Sequence, residues 1–134
     1  MTPVTFTFGD NEALCNEVLA LVRAGKKTVT CAPLSDFGPG KDPMPQVGRQ
    51  DIALEWDGTP AVQMETVEVL TMPFDEVGED LVAPMAEFRD RDDFRTQYQA
   101  YFEAQGKWSP NLKLMVERFR LIRDFATDPA EKET

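Results

Sequence analysis

The chain contains no histidine, and only two of its 134 residues are cysteines. The first absence rules out a Ser-His-Asp triad and any site in which imidazole binds a metal or carries a proton. Acid–base work must fall to Glu, Asp, Lys, Tyr or Cys. Cys15, in a helical pattern, and Cys31, at the start of an extended one, supply no disulfide framework and no paired C-x-x-C; they read as small buried hydrophobes. A Walker loop and a G-x-G-x-x-G are also missing. No apolar run approaches the roughly 18–20 residues of a membrane span. The N-terminus has neither the basic region nor the apolar stretch of a secretion signal, so a cytoplasmic protein is expected. Positive charge is scarce as well: 14 Lys and Arg stand against 24 Asp and Glu, a net charge of −10. Such a chain repels a polyanion at long range, although screening beyond about 8–10 Å leaves room for a local basic patch. A small neutral ligand meets no such barrier.

What is present describes one folded domain. With 42% hydrophobic and 28% charged residues, the chain has the balance of a globular protein,. Val4-Thr5-Phe6-Thr7-Phe8 alternates as a short strand, and Gly9-Asp10 breaks it. Asp10 or Asn11 caps a helix whose apolar face runs through Leu14, Val18, Leu21 and Val22, with Gly25 at its end. Thr28 to Cys31 is expected to be extended. From Pro33 to Gly48, seven of sixteen residues are Pro or Gly, which predicts a long loop,. A strand through Ile52-Ala53-Leu54-Glu55-Trp56, the turn Asp57-Gly58 and a long strand from Ala61 to Met72 form a hairpin. In that return strand Met64, Thr66, Glu68 and Leu70 share one face. Val62, Val67 and Val69 do not all fit the same parity, which calls for a bulge or for burial of both faces. A turn and short helix follow Pro73. A second helix, capped by Asp90 or Asp92, carries Phe94, Tyr98, Tyr101 and Phe102 as an aromatic stripe suited to a core. A last strand runs from Leu112 to about Ile122.

The residues able to carry chemistry cluster after the first helix. Lys26 and Lys27 follow Gly25, and Thr28 and Thr30 follow them. A lysine becomes a nucleophile or base only when desolvation or a neighbouring cation lowers its pKa. Lys26 is such a neighbour for Lys27, whereas the helix C-terminus favours the charged form and a solvated pair. Thr28 and Thr30 share one face of a regular strand and Lys27 points opposite, so a site using Lys27 with Thr30 requires a turn or twist between them. Ser35, Asp36 and Phe37 in the long loop either line a site beside the lysines or form a surface excursion with Phe37 tucked down. Glu87 lies between a proline-broken segment and the second helix, placed to aim into a cleft. Glu65, Glu68 and Glu117 sit in strands and face either an interior or solvent.

Together these segments resemble the ASCH domain, a PUA-like β-barrel family. The resemblance rests on Leu21-Val22-Arg23-Ala24-Gly25 running into Lys26-Lys27-Thr28-Val29-Thr30, and on Val47-Gly48-Arg49-Gln50-Asp51. It continues through Val67-Glu68-Val69, Pro73-Phe74-Asp75-Glu76-Val77 and Val116-Glu117-Arg118-Phe119-Arg120-Leu121. It implies an α+β fold, a PUA-like curved β-barrel or sheet flanked by two main helices, with one domain over residues 1–125 and a flexible tail at 126–134. Some ASCH proteins are amidohydrolases that deacetylate N4-acetylcytidine with a Lys, a Thr and a Glu. By position those roles fall on Lys27, Thr30 and Glu87, with Glu65, Glu68 and Glu117 as alternatives for the acid. Lys27 then attacks the acetyl carbonyl or activates water, Thr30 binds the oxyanion or the nucleophile, and Glu87 moves protons. Lys26, Thr28 and Phe37 would contact substrate. The resemblance implies no metal and no cofactor, and as partner a small nucleoside-like ligand or short single-stranded RNA. Other members cleave single-stranded RNA, so an RNA module or a non-catalytic ligand-binding domain are the alternatives. The chain departs from the small amidohydrolases at Cys31-Ala32-Pro33, where they carry an arginine. It departs again between Glu87 and Asp93, where they carry a glycine-containing acidic stretch.

Overall fold

Helix α1 (Glu12–Arg23) starts where the Asn11 side chain accepts a hydrogen bond from the Leu14 N–H. It ends in a Schellman turn: Gly25 N donates to Val22 O and Lys26 N to Leu21 O, with Gly25 at φ +74°,. The helix buries Cys15, Val18, Leu19 and Val22, the face that its apolar spacing predicts. The computed structural model describes residues 3–126. The tail expected at 126–134 therefore lies, apart from its first residue, outside the described residues.

Five strands form one open, mixed sheet in the order β1-β3-β4-β5-β2. They are β1 (Thr5–Phe6), β2 (Val29–Pro33), β3 (Gln50–Leu54), β4 (Pro60–Pro73) and β5 (Lys113–Asp124). β1 pairs parallel with β3, and every other pairing is antiparallel. Two short elements are worth locating: helix α2 (Glu79–Val82) and the 3₁₀ turn Ala83–Met85. Helix α3 (Arg91–Ala104) follows, and the Asp90 side chain caps it by accepting from Asp93 N.

The register of β4 shifts between Thr66 and Glu68, leaving Val67 unpaired and exposed. This corrects the expectation that Met64, Thr66, Glu68 and Leu70 share a face. The extra residue turns the parity, so Met64 and Thr66 are buried while Glu68 lies exposed opposite Arg118. A second shift between Gln63 and Met64 adds to the bend,.

The curvature separates two cores. Leu114 and Val116 of β5 pack with Val29, Phe74, Val82, Phe94 and Phe102 under α2 and α3. There the predicted aromatic stripe packs along itself, Phe94 with Tyr98 at 5.0 Å and Tyr98 with Phe102 at 5.2 Å, and Phe74 stacks on Phe94 at 5.4 Å. On the other face Phe119 packs with Val62, Met64, Ala53 and the buried side of α1. The odd-numbered β5 residues Met115 and Glu117 belong to this second face, and a cleft opens over them.

Candidate functional site

Local chain geometry puts the first of the predicted residues underground. After the Schellman turn Lys27 N also donates to Leu21 O, and Thr28 N donates to Pro84 O, which ties the start of β2 to the 3₁₀ turn. The Lys27 side chain is 2% exposed. Its Nζ donates to Val29 O at 2.8 Å, to Met85 O at 3.1 Å and to Glu87 Oε2 at 2.6 Å. An ammonium has three N–H groups, and here each has an acceptor.

Glu87 comes to that ammonium by an unusual backbone step. Ala86 adopts φ +64°, making it the one non-glycine residue at positive φ among the described residues. This left-handed residue follows the 3₁₀ turn directly and redirects the chain, so the carboxylate meets Lys27 while its side chain stays 21% exposed. A backbone outlier held next to a buried ion pair is a common mark of a working site.

A cleft of about 650 Å³ lies beside this pair, within the usual size range of small-molecule sites,. Glu87, Thr30 and Glu117 line it, as do Phe37 and Tyr98. Thr30 of β2 stands directly across from Glu117 of β5 in the sheet register, so the two side chains are near neighbours on the cleft floor. Glu117 Oε2 accepts from the buried Thr66 hydroxyl at 2.6 Å. Burial pushes the Glu117 carboxyl above its ordinary pKa; the nearby Asp51 adds to the rise, and Thr66 and Arg49 oppose it. Arg49 and Asp51 form a buried pair at 2.8 Å at one side of the cleft, and Asp51 Oδ1 also accepts from Val4 N.

Cys31 and Tyr98 close the wall near Lys27. Burial pushes the Cys31 thiol up to about 12, against the lowering influence of Lys27 and of its hydrogen bond to Tyr98. Burial likewise lifts the Tyr98 phenol well above its ordinary value. Both groups stay neutral at physiological pH and present weak polar donors rather than charges.

Glu87, Thr30 and Phe37 are thus brought to one cleft, and Lys27 reaches it only through Glu87. No hydrogen bond joins Lys27 to Thr30; Thr30 and the carboxylate that Lys27 holds line the same cleft. Lys26 is exposed and outside the cleft, and Thr28 also lies outside it, its backbone spent on Pro84 and Phe119. Of the alternative carboxylates, Glu65 is held by Arg120 at 3.0 Å and Glu68 by Arg118 at 2.9 Å, both away from the cleft. Glu117 alone of those three faces it. The Arg49–Asp51 pair and Thr66 were missed as site residues. The signal for the former was a buried-strand position carrying two opposite charges two residues apart. Among the described residues no three His, Cys, Asp or Glu side chains gather as a metal would require.

The charges around the cleft decide what it can admit. Glu17, Asp36, Asp42, Asp51, Glu87 and Glu117 line it, against Arg49 and Lys107. Both cations are already paired, Arg49 with Asp51 and Lys107 with Asp36 at 3.1 Å. A phosphate finds no uncommitted cation there.

A mixed sheet bent by register shifts, with helices on both faces and a ligand-sized cleft, is the PUA-like arrangement. Within that class the chain belongs to the ASCH domain family, whose profile matches residues 4–123. It is similar to an ASCH domain from Lactobacillus crispatus JV V101 at 22% identity, covering 88% of this chain and 78% of that one, with a TM-score of 0.73. A protein from Enterococcus faecalis V583 is similar at 24% identity over 91% and 81% of the two chains, with a TM-score of 0.78. An ASCH protein from Zymomonas mobilis is more remote, at 13% identity over 96% and 75% and a TM-score of 0.57. No curated protein matches the chain. At these identities the likeness to the solved structures establishes the fold alone. Among the described residues no helix is long and apolar enough to cross a membrane.

Proposed function

We propose that the protein hydrolyses an amide on a small neutral nucleoside of the N4-acetylcytidine type. In this reading Glu87 carries the proton, Thr30 binds the oxyanion and Lys27 positions Glu87. The observation that carries it is the 2.6 Å contact between the buried Lys27 ammonium and a carboxylate that opens into the same cleft as Thr30. The unpaired-cation deficit of the cleft favours a neutral nucleoside over a polyanion.

The chemistry follows from where each group sits. Lys27 has all three N–H groups engaged, so it lacks a lone pair to attack a carbonyl, and water activation by Glu87 is favoured. The Glu87 carboxylate accepts a proton from water as the water oxygen bonds to the acetyl carbon, and the carbonyl electrons move onto oxygen. The Thr30 hydroxyl donates to that oxyanion. Collapse re-forms the carbonyl and breaks the C–N bond, and Glu87 returns its proton to the leaving nitrogen, giving cytidine and acetate. Throughout, Lys27 keeps Glu87 in place and tempers its charge.

Turnover of N4-acetylcytidine by the purified protein, beside Lys27→Met and Thr30→Val, tests this. Deacetylation that falls at least about a hundredfold in both variants supports it. Absence of deacetylation in the wild type, with cytidine still bound, would move the protein to the non-catalytic ligand-binding alternative. Salt-sensitive cleavage of single-stranded RNA in its place would favour the nuclease alternative.

A further inference from the structure

The reaction above uses none of the aromatic side of the cleft, where the end of α3 meets the loop after β2. Of the stripe on α3, Phe94 and Phe102 are buried and Tyr98 is half-buried, but Tyr101 leaves 37% of its surface open and lines the cleft. Its ring is held from behind, 5.7 Å from Phe102 and 6.1 Å from Tyr98. One exposed ring alone needs no explanation; this one has a partner. Lys107 donates its N–H to Phe102 O just past the helix end and pairs with Asp36 at 3.1 Å. Asp36 immediately precedes Phe37, so the ion pair brings Phe37 and Tyr101 to the same side of the cleft that both line. The Phe37 backbone is pinned as well: Gly38 N donates to Asp42 O at 3.1 Å and Asp42 N to Asp36 O at 3.3 Å. Both rings are thus set before a ligand arrives, which lowers the cost of ordering them on binding.

We propose that Tyr101 and Phe37 form the stacking site that takes the planar heteroaromatic ring of the ligand. The inference rests on the nucleoside reading above and deepens it, because a flat ring becomes what the cleft selects. Every base has a π-face, and stacking on an aromatic side chain asks for no charged partner. That suits a cleft whose two cations are already paired. The position also fits the chemistry. Tyr101 lies three residues, about 4.5 Å of helix rise, beyond Tyr98, and Tyr98 hydrogen-bonds Cys31, the neighbour of Thr30. A ring on Tyr101 is therefore one helical turn from the wall that carries Thr30, with its exocyclic amide between them. An N-acetylated sugar presents the same amide without a π-face and gains nothing from this site.

The test reads binding separately from turnover. Cytidine is titrated by calorimetry into wild type, Tyr101→Phe, Tyr101→Leu and Phe37→Leu, and its H5 and H6 resonances are followed by NMR. Wild type is expected to move both protons upfield, the ring-current signature of a base lying on an aromatic face. Tyr101→Leu and Phe37→Leu are each expected to bind cytidine about tenfold more weakly with a reduced shift, while Tyr101→Phe stays within about twofold. N-Acetylglucosamine is expected to bind wild type at least about tenfold more weakly than cytidine does. Should Phe37→Leu fail to fold by circular dichroism, the wild-type shift and Tyr101→Leu, altered at an exposed position, decide alone. Undiminished affinity in a folded leucine variant, no upfield shift in wild type, or N-acetylglucosamine bound as tightly as cytidine overturns the proposal and leaves the hydrolase reading standing. The expected shifts and losses without any deacetylation of N4-acetylcytidine by wild type uphold the proposal and remove the hydrolase. A wild type that does not bind cytidine overturns both.

Discussion

Lys27 shows how much a single residue's surroundings decide. Its three bonds satisfy the ammonium and tie it to two carbonyls, of the buried Val29 and Met85, as well as to Glu87. Lys27→Met strips all three acceptors at once and is expected to destabilise the fold by about 3 kcal/mol, read as a lowered urea midpoint with unchanged m-value. Glu117 makes a pH-dependent prediction. Its folded pKa is raised, so the folded state holds the proton to higher pH than the unfolded chain does. The stability this confers is present below the unfolded pKa and is lost as pH rises through the folded one. Glu117→Gln cannot lose a proton, and its stability should stay flatter across that window, overtaking wild type on the alkaline side in denaturant titrations. Cys31, held at about 12, is expected to resist alkylation at pH 7.5 in the native protein and to react once it is unfolded, as mass spectrometry would show,.

Among the elements, the helix end at Gly25 was the most legible. A glycine after an apolar stripe predicts a left-handed residue, and φ +74° with a Schellman turn is what forms,. No atom crowds the position, so Gly25→Ala is expected to cost about 1 kcal/mol through φ strain alone, lowering Tm by about 3–5 °C in calorimetry,. The hairpin at Asp57-Gly58 and the cap at Asn11 were legible for the same reason: a local steric or hydrogen-bonding need selects the residue type. The Val67 bulge was visible only as a broken parity, since alternation shows that one residue is extra without saying which. The Lys27–Glu87 pair lay deeper still. It joins residues 60 apart in sequence, through a left-handed Ala86 that no propensity would place there. Residue type could nominate both partners, and only the topology brings them to one point. Lys26, identical in type to Lys27, ends in solvent because the turn rotates by one residue.

At the scale of the whole molecule, charge sets the partner class. A net charge of −10 surrounds a cleft whose two cations are already paired. Single-stranded oligonucleotides are therefore expected to bind more weakly than the ~10⁻⁴–10⁻⁶ M typical of non-specific nucleic-acid binders at physiological salt, with a shallow salt slope in a fluorescence-anisotropy titration. The open sheet, two separate cores and a left-handed Ala86 converge on one arrangement, a buried ammonium holding a carboxylate at the edge of a small-molecule-sized cleft. The most direct check on it is the kcat for N4-acetylcytidine of Glu87→Gln against wild type, with both shown to be folded. The account predicts measurable deacetylation by the wild type and a fall of about 10²–10⁴-fold in the variant, the usual worth of a proton-transferring side chain. A variant that turns over within a few-fold of the wild type would contradict it.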